Sequence, residues 1–157
     1  MKNERLLFLS HHFASYEIQF SKDGDFAEIK NPSHAENIKV EYVPDDDFTP
    51  YIVYFAFQHC HMCDEEDVLE YINEVISENR FSIEFFCNET RRFGTDINAK
   101  ELSELSYETL EKEIGYWGIT KLKDVANVFK VRGWNAEKNF DARFALDEGG
   151  NVIIEKY

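Results

Sequence analysis

The sequence predicts an α+β fold in a single compact domain spanning residues 1–157. The expected form is a mostly antiparallel sheet carrying one β-α-β crossover and two or three helices. Three observations predict it. Apolar and polar residues alternate through the first third of the chain, the signature of half-buried strands. One segment in the middle has helical periodicity. The tail holds three strand candidates, the last two joined by Glu148-Gly149-Gly150. A chain of 157 residues with 14 Phe has ample apolar volume for a core, and three Pro and seven Gly leave little material for linkers.

Each element has its own reason. Residues 5–10 form one short apolar run, and residues 14–20 alternate Tyr16, Ile18 and Phe20 against polar neighbours. Asp23-Gly24 supplies a positive-φ dipeptide for a hairpin back into residues 26–30. Residues 38–43 alternate again, and Pro44 and Pro50 bracket an acidic loop. Residues 51–58 are apolar on both faces, as a central strand is. Val68, Leu69, Ile72, Val75 and Ile76 share one helical stripe behind four acids at 64–67, the charge a helix start favours. Residues 81–87 return to strand character, so that strand, helix and strand would make a right-handed parallel crossover. Residues 88–96 read as a polar loop. Asn98 with Glu101 fits a capping box for a short helix, and Ser106 caps another that ends at Gly115. Strand candidates follow at 125–132, 140–147 and 151–157.

Charge is the strongest functional signal. Residues 40–79 contain eleven Asp and Glu and not one Lys or Arg, which accounts for most of the net charge of −14. The same stretch carries Tyr42, Phe48, Tyr51, Tyr54, Phe55, Phe57 and Tyr71, too aromatic for a disordered acidic tail. A folded surface with this field attracts cationic partners and repels nucleic acid and anionic membrane. The candidate contacts are Asp45, Asp46 and Asp47 in the loop, and Glu66, Asp67, Glu70, Glu74 and Glu78 opposite the apolar stripe of the helix. Glu70, Glu74 and Glu78 make a like-charge ladder at i, i+4 and i+8, costing roughly 0.2–0.5 kcal/mol per pair.

The run His59-Cys60-His61-Met62-Cys63 is the most suggestive chemically. If the crossover formed, Cys87 would end the neighbouring parallel strand. Cys60, Cys63 and Cys87 would then converge, with His59, His61, His11 or His12 completing a tetrahedral zinc site. A second C-x-x-C or H-x3-H pair is missing, so the expectation is three inert thiols with no metal and no cofactor. The stretch 51–80 also resembles the strand, C-x-x-C and helix of thioredoxin-like proteins. That family has a proline facing the cysteines, whereas this chain has none after Pro50, and His59 stands where an aromatic is usual. The resemblance therefore stops at those residues, and no family is assigned.

Other signals are smaller. Adjacent His11 and His12 in a strand would point to opposite faces. Residues 121–143 carry six Lys and Arg against three acids, a match for the acidic stretch within the chain. Trp117 and Trp134, two further candidate partner contacts, sit beside glycines, where an aromatic either anchors an interface or plugs a core. No nucleotide-loop, G-x-S-x-G or H-E-x-x-H pattern occurs, and the three-Asp loop lacks calcium-ligand spacing. The apolar run near the amino terminus is too short for a signal-peptide core, and no run spans a bilayer. An odd number of cysteines suits a reducing, cytoplasmic setting.

These readings favour a non-enzymatic acidic protein that occludes a basic partner. An inhibitor or immunity protein neutralising a nuclease-like toxin domain would act in this way. The alternative is a small redox or zinc-stabilised protein built on Cys60 and Cys63, and a third is a subunit of a larger complex.

Overall fold

The computed structural model describes residues 4–115, 118, 119 and 121–157. Its contacts group into two compact units. One comprises residues 1–78 with 134–136, the other residues 79–133 with 137–157. Each unit has its own five-stranded antiparallel sheet and its own apolar core. The α+β class and the antiparallel pairing agree with the sequence reading.

The first unit is a meander of five strands paired in chain order: β1 (Ile18–Phe20), β2 (Phe26–Ile29), β3 (Ile38–Tyr42), β4 (Tyr51–Phe55) and β5 (Gln58–Met62). Alternation places Ala27, Ile29, Ile38, Val40, Tyr51, Val53 and Phe55 in the core. Helix α2 (Glu65–Ile76) contributes Val68, Tyr71, Ile72 and Val75 to it. Burying Ile72 alone is worth roughly 1.5–3 kcal/mol.

Residues 5–10, expected as a strand, are helical. A 3-10 turn (Glu4–Leu6) runs into α1 (Leu7–His12). Leu6, Leu9 and Phe13 are buried at i, i+3 and i+7, a helical spacing that a short apolar run conceals. His11 and His12 are therefore neighbours at a helix end rather than on opposite faces of a strand. The His12 imidazole lies 3.3 Å from the Asn73 side-chain amide of α2.

The parallel crossover does not form. Residues 51–58 break into β4 and β5 because Ala56 adopts φ 52°, a left-handed turn that folds the chain back with Phe55 opposite Gln58. The strand after α2 belongs to the other sheet.

The second unit has strand order β10-β9-β8-β6-β7, with β6 (Arg80–Cys87), β7 (Thr90–Asn98), β8 (Val128–Arg132), β9 (Phe140–Leu146) and β10 (Val152–Lys156). Strand β7 occupies what reads as a polar loop. Its outer position in the sheet explains the composition: Thr90, Arg91 and Arg92 suit an edge strand. Phe93 and Ile97 anchor it, Phe93 stacked on Phe85 at 4.7 Å and Ile97 buried opposite Phe81. Helix α3 (Ala99–Ser103) has the full capping box of Asn98 and Glu101. Helix α4 (Tyr107–Ile114) is capped by Ser106 and buries Leu110 and Ile114. The 147–151 turn closes through a hydrogen bond from Asp147 N–H to Asn151 O, with Gly150 at φ 80°.

Candidate functional site

Two acidic elements meet at one end of the first sheet. Tyr51, which follows the 43–50 loop, pairs with Met62, after which Cys63 and Asp64 lead into α2. The loop and the amino end of the helix thus emerge side by side. Backbone bonds join Val43 to Pro50 and Asp46 to Val43 across the loop.

Within this cluster the acids divide by role. Asp46 Oδ1 accepts from the backbone N–H groups of Phe48 (3.0 Å) and Thr49 (2.8 Å), and Oδ2 accepts from the Thr49 hydroxyl. Those bonds hold its carboxyl below the ordinary range, and His61 lowers it slightly further. Asp64 caps α2 by accepting from Asp67 N–H at 2.9 Å, and Asp67 in turn accepts from Cys63 N–H at 3.3 Å. Asp46, Asp64 and Asp67 therefore shape the backbone. Asp45, Asp47, Glu65 and Glu66 face solvent. Beside them Phe48 is 86% exposed, the most exposed of the large apolar side chains among the described residues. The sequence reading places Phe48 among aromatics that fold the segment. Its position between Asp47 and Thr49 in a loop is the signal that it stays outside.

The like-charge ladder is shorter than the spacing suggests. Glu70 is exposed and Glu74 half-buried, both within α2. The helix ends at Ile76, and Glu78 lies beyond its cap at φ 61°, out of register with the other two.

Behind the loop lies an aromatic cluster. Tyr51 packs edge-on against Phe8 at 5.9 Å and lies 5.3 Å from Tyr42, which the Arg5 guanidinium overlies. Burial pushes the Tyr51 hydroxyl up from 10.0 to about 12, with Glu65 and Tyr42 adding to the effect and Arg5 opposing it. The hydroxyl donates to Glu65 Oε1 at 3.4 Å. Trp134 plugs the core of the same unit and is only 7% exposed. Its ring meets Tyr16 edge-on at 5.9 Å, and its carbonyl accepts from the Asn31 side-chain amide at 2.7 Å. Of the two alternatives for that residue, core plug is the one realised. Trp117 lies outside the described residues.

The cysteine and histidine run is sorted by strand alternation. Cys60 and Met62 turn toward the core, whereas His59 and His61 are exposed on the opposite face of β5. Cys63 is exposed beyond the strand, and Cys87 belongs to the second unit. Cys60 sits mid-strand opposite Val53, not at a helix amino terminus as the thioredoxin-like arrangement requires. No group of three or more His, Cys, Asp or Glu among the described residues is placed to hold a metal ion.

The second unit holds a charged network that no local sequence pattern signals. On the sheet face opposite Phe81, Ile83 and Phe85, the fully buried Glu84 pairs with Arg91. Arg132 bonds Asp141 at 2.7 Å, and Arg80 bonds Asp96 at 3.2 Å. Lys130, Arg132 and Arg143 of the basic tail thus pair with Asp141 and Glu155 in their own sheet. Only the register, which sets Glu84 opposite Lys130 and Lys130 opposite Asp141, reveals this.

The chain matches no family model, no curated protein and no solved structure. No described helix is long and apolar enough to cross a membrane.

Proposed function

We propose that this chain is a non-catalytic binding protein that captures a basic protein with the acidic end of its first unit. The observation that carries the reading is Phe48, 86% exposed within a loop whose acids are either solvent-facing or spent on holding the loop's shape. An ordered loop presents the ring with little entropy left to lose on binding, and an aromatic anchor ringed by charge is the usual makeup of a hot spot. Asp45, Asp47, Glu65 and Glu66 supply the field that steers a cation inward. A nuclease-like toxin domain fits this chemistry, because a site that grips phosphate is itself cationic. The function is then that of an inhibitor or immunity protein. An odd cysteine count suits such a protein in the cytoplasm.

The test is capture from the native cells at low and high salt, using the wild type and a variant combining Asp45→Asn, Asp47→Asn and Phe48→Ala. The expected result is a basic protein retained by the wild type, released by salt and lost with the variant. With that protein in hand, its association rate should fall steeply as salt rises while dissociation changes little. Retention of the same proteins by the variant would end the proposal.

A further inference from the structure

The histidines of β5 meet a requirement independent of the acidic end. His59 and His61 are two residues apart on a strand, so their side chains leave the same face. Both are exposed, and their ring centres are 5.6 Å apart with planes at 71°. With each nitrogen about 2.1 Å from a tetrahedral ion, two imidazoles bound to it have centres roughly 5 Å apart. The rings therefore stand close to the spacing of a chelate, within reach of a small rotation about their side-chain bonds.

We propose that His59 and His61 form a two-imidazole site for a divalent transition-metal cation of the zinc, nickel and copper class. Imidazole is the preferred neutral ligand of these ions, which bind it in the order nickel below copper and copper above zinc. Three features support the site. Strand β5 ends its sheet, so water or a carboxylate from another molecule can complete the coordination sphere from the open side. The local field favours a cation, since residues 40–79 contain no Lys or Arg and the Asp46 carboxylate interacts with His61. Lys39, on the same face, has its charge engaged by Glu41 at 3.6 Å and by the Phe26 and Tyr54 rings at 4.5 and 4.9 Å. Cys60 takes no part, because it points to the other face, and among the described residues no third His, Cys, Asp or Glu joins the pair.

The flanking geometry fixes one ring in particular. His59 lies against Tyr54 at 5.9 Å with planes 33° apart, and the Tyr54 hydroxyl donates to Glu41 at 2.9 Å. The tyrosine is thereby anchored, and the imidazole beside it has a restricted range of orientations. Binding a second imidazole to an ion already held by the first is an intramolecular event, which makes the pair tighter than either alone.

The experiment uses the full chain, reduced, in a buffer that does not chelate. Calorimetric titration with zinc chloride should show one site per chain. His59→Gln and His61→Gln should each weaken it by about tenfold or more. The combined change of Cys60 and Cys63 to Ser, and that of His11 and His12 to Gln, should leave it in place. Substoichiometric nickel chloride added to the wild-type chain should broaden the ring-proton NMR signals of His59 and His61 together, ahead of those of His11, His12 and His34. This second measurement is decisive even if a variant fails to fold. Zinc affinity unchanged in the double His59, His61 variant would overturn the proposal. So would nickel broadening centred on other histidines, or none at tenfold excess. Because neither measurement involves a partner protein, either outcome leaves the partner-capture proposal to its own test.

Discussion

The two units of this protein treat charge in opposite ways. The first has five Lys and Arg against seventeen Asp and Glu, and several of those acids face open solvent. The second has twelve against fourteen and pairs them across its strands, as Arg132 with Asp141, Arg143 with Glu155 and the buried Glu84 with Arg91. Nearly balanced charge can be folded into a sheet face because groups brought into register pair there. Unbalanced charge must stay solvated, and the fold then rests chiefly on apolar contacts. The partner-capture proposal rests on the first unit for that reason: its uncompensated field acts on whatever approaches it.

The largest effect bearing on this contrast is in the apolar stripe of α2. Ile72→Ala should destabilise the protein by about 2–5 kcal/mol, since the side chain is fully buried against the first sheet. Denaturant unfolding measures it. A cost below about 1 kcal/mol would mean that the helix is held by something other than its packed face.

Next is the buried carboxylate of the second unit. Glu84→Ala should cost about 1–3 kcal/mol, because it deletes the partner of Arg91 and opens a gap in an interior strand. Sodium chloride at high concentration should reduce wild-type stability less than this substitution does, as buried pairs are weakly screened. An effect no larger than that of a surface acid would erase the contrast between the units.

A pH effect follows from Tyr51. Its folded-state value near 12 lies above the ordinary 10.0, so its contribution is complete below pH 10 and is lost as pH rises toward 12. Thermal melts between those limits should fall more steeply for the wild type than for Tyr51→Phe. Parallel alkaline slopes in the two proteins would show that the hydroxyl is not buried in its neutral form.

The smallest effect belongs to the exposed acids. Glu70→Gln should change stability by less than about 0.5 kcal/mol, and toward greater stability, because i, i+4 repulsion with Glu66 and Glu74 is relieved. Marked destabilisation would reveal a cation paired with it.

Local chemistry accounts for much of this molecule. The capping boxes at Asn98 and Ser106, the amphipathic stripe of α2, the alternation of β2 to β4 and the 147–151 turn all follow from residues within a few positions of one another. Composition likewise locates the acidic stretch and the His and Cys run. Whatever depends on distant partners is set by tertiary structure instead. Residues 5–10 are helix because Leu6, Leu9 and Phe13 have a core to enter, and residues 90–98 are an edge strand because β6 offers a ladder to polar side chains. The expected crossover fails at Ala56, where one left-handed residue turns the chain into a hairpin. The same pairing register turns Cys60 toward the core and His59 and His61 away from it, and it sets the 43–50 loop, with Phe48 in solvent, beside the start of α2. Sequence lists which groups are present. Which of them turn to the core and which to solvent is settled only by pairing register, since a shift of one residue would reverse every side chain.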